Sequence, residues 1–426
     1  MTLALSLLGG LVLAIVVIVV YTTLAVNAEA DRQDTVKSVP PVGTARDEFL
    51  RSLHGAAGQR VYDGNDVVVY QNGDEIFPPM LAAIHAARST VHLSTYVYWA
   101  GTVPETFAVA LSDAARRGVI VRVVLDSEGT EPMPKTLIEQ MRGAGCTIAW
   151  FRRAQWHNWS KYNHRTHRRL LIVDGTIGFT GGVGIADEWS GHAQSPKHWR
   201  DTHARLTGPI VSALQAGFAD NWNLCTEEIL LDGRDYPQLA PTGDVSICPV
   251  VSTPASGASP AQRVMAACVG GASRTLHITN AYFVPTPPFI DALCKARQRG
   301  VDVKVIVPGP HIDQQIVRRA SRHCWPRLLA AGVDIYEYQP TMIHAKTLIV
   351  DEELFLVGSI NFDPRSFSLN AECGVVIADR RIAADAERVF ADDLTHCERI
   401  SSQTLESLSA GSRLIDSMCY WFRAQL

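Results

Sequence analysis

From its amino terminus the chain opens on an apolar run and then alternates between helical and strand periods. Thr2 to Val26 carries no charge, and Leu11 to Val20 is wholly apolar. About 20 such residues are enough for a helix to cross a bilayer, so residues 1–27 are expected to form a single-pass transmembrane anchor. A cleaved signal peptide competes, because Val26-Asn27-Ala28 resembles a cleavage site. The run is long for a signal's apolar segment, however, and no Lys or Arg precedes it. Residues 28–66, with Pro40-Pro41 inside, read as a polar linker. Asn72-Gly73-Asp74 then reads as a turn, and Pro78 to Arg88 as a helix with Met80, Leu81 and Ile84 on one face. Thr90 to Leu93 begins a strand leading to Tyr96 and Trp99. A helix from Glu105 closes at Gly118, a glycine suited to a C-cap, and Val119 to Leu125 is a buried strand. This alternation predicts an α/β layer with largely parallel strands.

The order then repeats. Thr275-Leu276-His277-Ile278 echoes Thr90-Val91-His92-Leu93, Arg299-Gly300 echoes Arg117-Gly118, and Phe390-Ala391-Asp392 echoes Phe218-Ala219-Asp220. Two similar α/β halves are therefore expected, at residues 67–222 and 261–398, packed about a pseudo-twofold. A proline-bearing segment, 223–260, connects them. Residues 399–426, rich in aromatic and large apolar groups, form an amphipathic tail that packs on the domain or meets the membrane interface.

One pattern occurs once in each half. His344 and Lys346 precede the apolar run Leu348-Ile349-Val350, which ends at Asp351, and Gly358-Ser359-Ile360-Asn361 follows. His167 and Arg169 precede Leu170 to Val173 and Asp174, and Gly181-Gly182 follows. The offset is constant, since 344 − 167 and 358 − 181 both give 177. Residues two apart on a strand face the same way, so each pair projects an imidazole beside a cation. Asp174 and Asp351 lie seven residues after their histidines, on the opposite face by the same alternation, and read as structural holders of a turn.

The doubled H-x-(K/R)-x4-D pattern with its trailing glycine resembles the signature of the phospholipase D superfamily. Asn163 to Arg169, Phe179 to Trp189, Trp199 to His203 and Asn361 to Ser366 bring the resemblance closest to bacterial cardiolipin synthases. It implies two phospholipase D-type α/β sandwich halves and phospholipid substrates, with phosphatidylglycerol as donor. The location it implies is a bacterial inner membrane. The implied activity is a phosphatidyltransferase working through a phosphohistidine. Two alternatives remain, a phospholipase D using water as acceptor and a superfamily nuclease. In the superfamily the first-motif histidine is often the nucleophile, which assigns that role to His167 and general acid–base work to His344. Lys346 and Arg169 would clamp the phosphoryl oxygens. Asp174 and Asp351 belong to the signature. The resemblance also assigns phosphate contacts to Ser359 and Asn361, and imidazole orientation to Glu372 and Asp201. Arg169 replaces the usual lysine, and Gly184 stands where asparagine is common.

Composition trims the alternatives. A formal net charge of −4 argues against an extended nucleic-acid surface, so no nucleic-acid partner is expected. No cofactor is called for, and no spacing suits a metal site, His164 to His167 coming nearest. Nine cysteines without framework spacing read as free thiols. Oligomeric state stays open.

Overall fold

The computed structural model describes residues 38–152, 163–254 and 259–426, together with residues 17, 20, 21, 23, 24, 27 and 28. Most of the expected anchor, residues 1–27, lies outside them. Among the described residues no helix is long and apolar enough to cross a membrane.

Two antiparallel neighbours, β1 (Tyr62–Gln71) and β9 (Val245–Ser252), sit at the centre of one continuous mixed sheet. Outward from β1 run β8 (Thr202–Thr207), β7 (Ile177–Gly181), β6 (Leu170–Val173), β2 (Thr90–Thr95), β3 (Ile120–Asp126) and β4 (Thr147–Phe151). Outward from β9 run β15 (Asn370–Ala378), β14 (Leu354–Gly358), β13 (Lys346–Val350), β10 (Thr275–Asn280), β11 (Asp302–Pro308), β12 (Asp334–Tyr338) and β16 (Cys397–Arg399). The short β5 (Arg165–Thr166) lies off this path, beside β15. Each half thus repeats the other's strand order from the centre to the edge.

The expectation of largely parallel strands is corrected. Among the described residues only β2–β3–β4 and β10–β11–β12 pair in parallel along the sheet. The motif strands fold back as hairpins, β6–β7 and β13–β14, at Asp174-Gly175 and Asp351-Glu352, and so pair antiparallel. Asp174, Gly175, Asp351 and Glu352 all take left-handed φ there.

The expected linker is also corrected. Within residues 28–66, Val42 to Ala57 forms helix α1, and its Val42, Phe49 and Leu53 are fully buried. Phe49 and Leu53, one turn apart, make the apolar stripe that docks it. The expected turn at Asn72 instead starts α2 (Asn72–Ala86), with Pro78 and Pro79 inside it. Glu75 accepts the Gln71 backbone N–H, a start signal that outweighs the prolines. Residues 245–252, inside the expected connecting segment, are β9 itself, a run of Val and Ile packed between β1 and β15.

Helices cover both faces. On one, α3 (Val211–Thr226) and α6 (Arg380–Thr395) pack Phe218 and Phe390 into the same core as Ile172 and Phe355. His92 stacks on Phe218 and His277 on Phe390, with centroids 4.6 and 4.7 Å apart. The other face carries α1, α2, α4 (Pro260–Gly271) and α5 (Gln315–Ala330). The C-terminal segment ends in α7 (Ala410–Trp421), docked on α5 through Asp416, which pairs with Arg319 and Arg322. Its Leu414, Ile415 and Met418 remain exposed. Cys146, Cys248, Cys268, Cys324 and Cys373 are buried free thiols.

Candidate active site

Both motif histidines sit just ahead of the first strand of their hairpin, and each is held there by the other half. β5 pairs in parallel with β15, Arg165 opposite Asn370 and Thr166 opposite Ala371, and the His167 N–H donates to the Ala371 carbonyl at 2.9 Å. The next pair across is therefore His167 and Glu372. In the same way Ile343 bridges Arg200, and the His344 N–H donates to the Arg200 carbonyl at 2.7 Å, bringing His344 against Asp201.

The side chains follow the backbone. His167 Nδ1 lies 3.0 Å from both Glu372 carboxylate oxygens, and His344 Nδ1 lies 2.8 Å from Asp201 Oδ2. Arg169 Nη1 lies 2.8 Å from His167 Nε2, and Lys346 Nζ lies 2.8 Å from His344 Nε2. The partners assign the tautomer. In each imidazole Nδ1–H donates to a carboxylate of the opposite half; the Nε2 lone pair of His167 accepts from Arg169, while Lys346 Nζ lies within reach of both His344 ring nitrogens, 2.8 Å from Nε2 and 3.0 Å from Nδ1.

Electrostatics agree with neutral rings. Burial, then the Arg169 charge, outweigh Glu372 and take His167 down to about 4. Burial and the Lys346 charge outweigh Asp201 and take His344 down to about 3. Burial would raise the Asp201 carboxyl, but its hydrogen bond to His344 and the Lys346 charge prevail and lower it to about 2. Glu372 also lies below its ordinary value, its partner His167 and two serine hydroxyls outweighing burial. Burial and the neighbouring Arg169 hold Lys346 well below the usual lysine range. Two cations confined together favour an anion between them. A phosphodiester entering between them would relieve their repulsion and make imidazole protonation easier.

The two carboxylates are supported differently. Glu372 accepts from the hydroxyls of Ser359 and Ser366. Asp201 accepts from Trp189 Nε1 at 2.7 Å and from the Thr202 N–H at 2.8 Å. A Cβ on Gly182 would fall 2.1 Å from Asp201 Oδ1, so glycine is needed where the second half has Ser359. Ser359 was expected on phosphate; its hydroxyl is instead spent on Glu372. Asn361 does face the cavity, and its Oδ1 has no partner among the described residues. Asp174 and Asp351 do not line it. Asp174 accepts the N–H groups of Arg88, Ser89 and Thr90, and Asp351 those of Gly43, Ser273, Arg274 and Thr275. They pin the start of β2 and β10, as alternation predicted, and their place in the signature is structural.

The two histidines open on one cavity of about 680 Å³. Sequence reasoning missed several of its groups. Trp189 and Trp199 pack on His344, and Tyr96 packs edge-on against His167. Tyr282 and Asp313 line the second-half wall, and Glu128 and Arg165 the first. Only Tyr96 and Tyr282 carried a signal, each sitting just beyond the repeated strand β2 or β10. The halves are further clamped by Arg200, whose guanidinium grips Asp393 at 2.9 and 3.0 Å.

Comparison with known proteins points the same way. Residues 80–190 and 265–394 match the family model described as cardiolipin synthase, PLD-like domain. A probable cardiolipin synthase of Bacillus subtilis is 31% identical over 397 residues, covering 93% of this chain and 79% of that protein. Cardiolipin synthase A of Pseudomonas putida is 33% identical over 355 residues, covering 83% of this chain and 74% of its own length. Among solved structures, a phosphatidylserine synthase of Haemophilus influenzae superposes with a TM-score of 0.65 at 13% identity, covering 84% of this chain and 95% of that one. At that identity the likeness is one of fold.

Proposed function

The chain belongs to the cardiolipin synthase family of phospholipase D-like proteins and is a phosphatidyltransferase, and from that premise we propose that it joins phosphatidylglycerol to a second phospholipid across the two crossed histidine–carboxylate pairs. Those pairs, opening on one cavity, are the observation that carries the mechanism. Arg169 turns from His167 to a phosphoryl oxygen, and Lys346 takes another. The freed Nε2 of His167 attacks phosphorus. His344, which takes up a proton from solvent at Nε2 once the diester anion sits beside Lys346, passes that proton to the departing oxygen as the P–O bond to glycerol breaks, leaving a phosphatidyl-histidine. The acceptor hydroxyl enters on the same side, gives its proton back to His344, and displaces His167. Glu372 stabilises the positive charge His167 gains, and Asp201 does so for His344. No cofactor takes part in this sequence.

The same reading places the enzyme at a membrane. The apolar run before residue 27 supports an anchor, and Asn27 donates to the Trp421 carbonyl at 2.7 Å, linking the following chain to α7. The exposed Leu414, Ile415 and Met418 lie on that helix, and Gln425 and Leu426 just beyond it line the cavity. The two α/β halves related by a pseudo-twofold thus present their shared site beside this apolar face.

Purified protein incubated with labelled phosphatidylglycerol in detergent tests the reaction. Cardiolipin with released glycerol is the expected outcome; phosphatidic acid alone would make the enzyme a hydrolase.

A further inference from the structure

A site for an anionic diester has little use for an unneutralised carboxylate, yet Asp313 opens onto this cavity. Its Oδ2 accepts from the Tyr282 hydroxyl at 2.6 Å. Among the described residues no Lys or Arg pairs with it, whereas Glu128 on the opposite wall is paired with Arg165 at 3.3 Å. Tyr282 keeps its proton as a donor, since burial and then the Asp313 charge hold it well above the usual tyrosine range. Burial pushes the Asp313 carboxyl up, against the Tyr282 hydrogen bond and the Lys346 charge. The carboxylate stands in the field of Lys346, on the wall whose motif histidine is His344.

A group that repels phosphate but offers acceptor lone pairs suits an uncharged polyol. The leaving glycerol and the incoming acceptor occupy one side of phosphorus, because His344 protonates the first and deprotonates the second. We propose that Asp313 and Tyr282 form the subsite for the hydroxyl groups of the glycerol headgroup, in the departing alcohol and in the acceptor alike. This rests on the transfer reaction above. A carboxylate oxygen takes a hydrogen bond from the hydroxyl that does not react, and this aims the reacting hydroxyl at His344. Water and simple alcohols lack that second hydroxyl and gain nothing from the carboxylate.

The test is competition between acceptors. Parent, Asp313→Asn, Asp313→Ala and Tyr282→Phe proteins are given unlabelled phosphatidylglycerol with equal concentrations of isotope-labelled free glycerol and isotope-labelled propan-1-ol, so that exchange into phosphatidylglycerol is visible beside phosphatidylpropanol. The ratio of the two transfer products is then measured. Phosphatidylpropanol measures the intact histidine chemistry, and the product on glycerol measures the subsite. Asp313→Ala is expected to lower the glycerol-to-propanol ratio by roughly ten- to hundredfold, the usual worth of a hydrogen bond to a charged group. Asp313→Asn and Tyr282→Phe are expected to lower it less. A ratio equal to the parent's in every folded variant, with both products reduced alike, would overturn the subsite and leave Asp313 a structural neighbour of Lys346. If Asp313→Ala does not fold, the ratios of the other two variants decide. A parent that forms no cardiolipin from phosphatidylglycerol alone would instead refute the transfer reaction, so the two failures are separable.

Discussion

His167 and Glu372 stand 205 residues apart in the chain and 3.0 Å apart in space, while His344 and Asp201 make the reciprocal contact at 2.8 Å. Neither half therefore holds a complete set of histidine, cation and carboxylate. Each supplies a histidine and a cation to its own motif and a carboxylate to the other's, and the backbone pairing of β5 with β15 and of Ile343 with Arg200 sets both distances.

Replacing either carboxylate should damage the histidine of the opposite half. Glu372→Gln and Asp201→Asn are each expected to lower kcat about ten- to hundredfold, the usual effect of losing a group that orients a reactive imidazole. Combining Glu372→Gln with His167→Ala should add nothing further, because the carboxylate acts through that ring. Steady-state kinetics of the single and double variants check this, and a double variant markedly slower than His167→Ala would break the assigned pairing.

The cations should differ in tolerance. Lys346→Ala removes a charge facing the transition state, typically worth about 3 kcal/mol or roughly a hundredfold in rate. Arg169→Lys keeps the charge and should retain most activity. Turnover assays on both check this, and a Lys346→Ala enzyme as fast as the parent would misplace the clamp.

Acid should unfold the protein earlier than its carboxylates alone would. His92 and His167 are held down to about 4, His203 and His344 to about 3, each chiefly by burial. Unfolded, they titrate near 6.5, so between about 6.5 and 4 the unfolded chain binds more protons and stability falls as pH falls. Each such group contributes a slope of up to about 1.4 kcal/mol per pH unit in that window. Asp201 adds its own loss only below about 3.8, as it protonates toward 2. Denaturant midpoints at pH 7, 6 and 5 should decline steadily; a flat series would mean these rings are not buried neutral.

Much of this was legible in the sequence, because duplication turns a weak local pattern into a strong one. The repeated His-x-cation spacing, the alternation that set Asp174 and Asp351 apart from the chemistry, and the His92/His277 and Phe218/Phe390 echoes all find their places in the structure. What was hidden depends on contacts between distant segments. Ser359 looks like a phosphate ligand until Glu372 arrives beside it, and Asp313 carries no mark until β10 and β11 bring it to Tyr282. Helix α1 was missed because its apolar stripe, chiefly Phe49 and Leu53, is sparse among charged neighbours and makes sense only against α4.

The division of labour between the two histidines is tested most directly by trapping the covalent intermediate. Phosphatidyl p-nitrophenol, labelled in the phosphatidyl group, carries a leaving group that needs no acid. His344→Ala should therefore release about one nitrophenolate per site in a burst and retain acid-labile, base-stable label, since no base remains to activate the acceptor. His167→Ala should show neither burst nor label. Label on His167→Ala and none on His344→Ala would reverse the roles, and absence of label from both variants and the parent would contradict a phosphohistidine altogether.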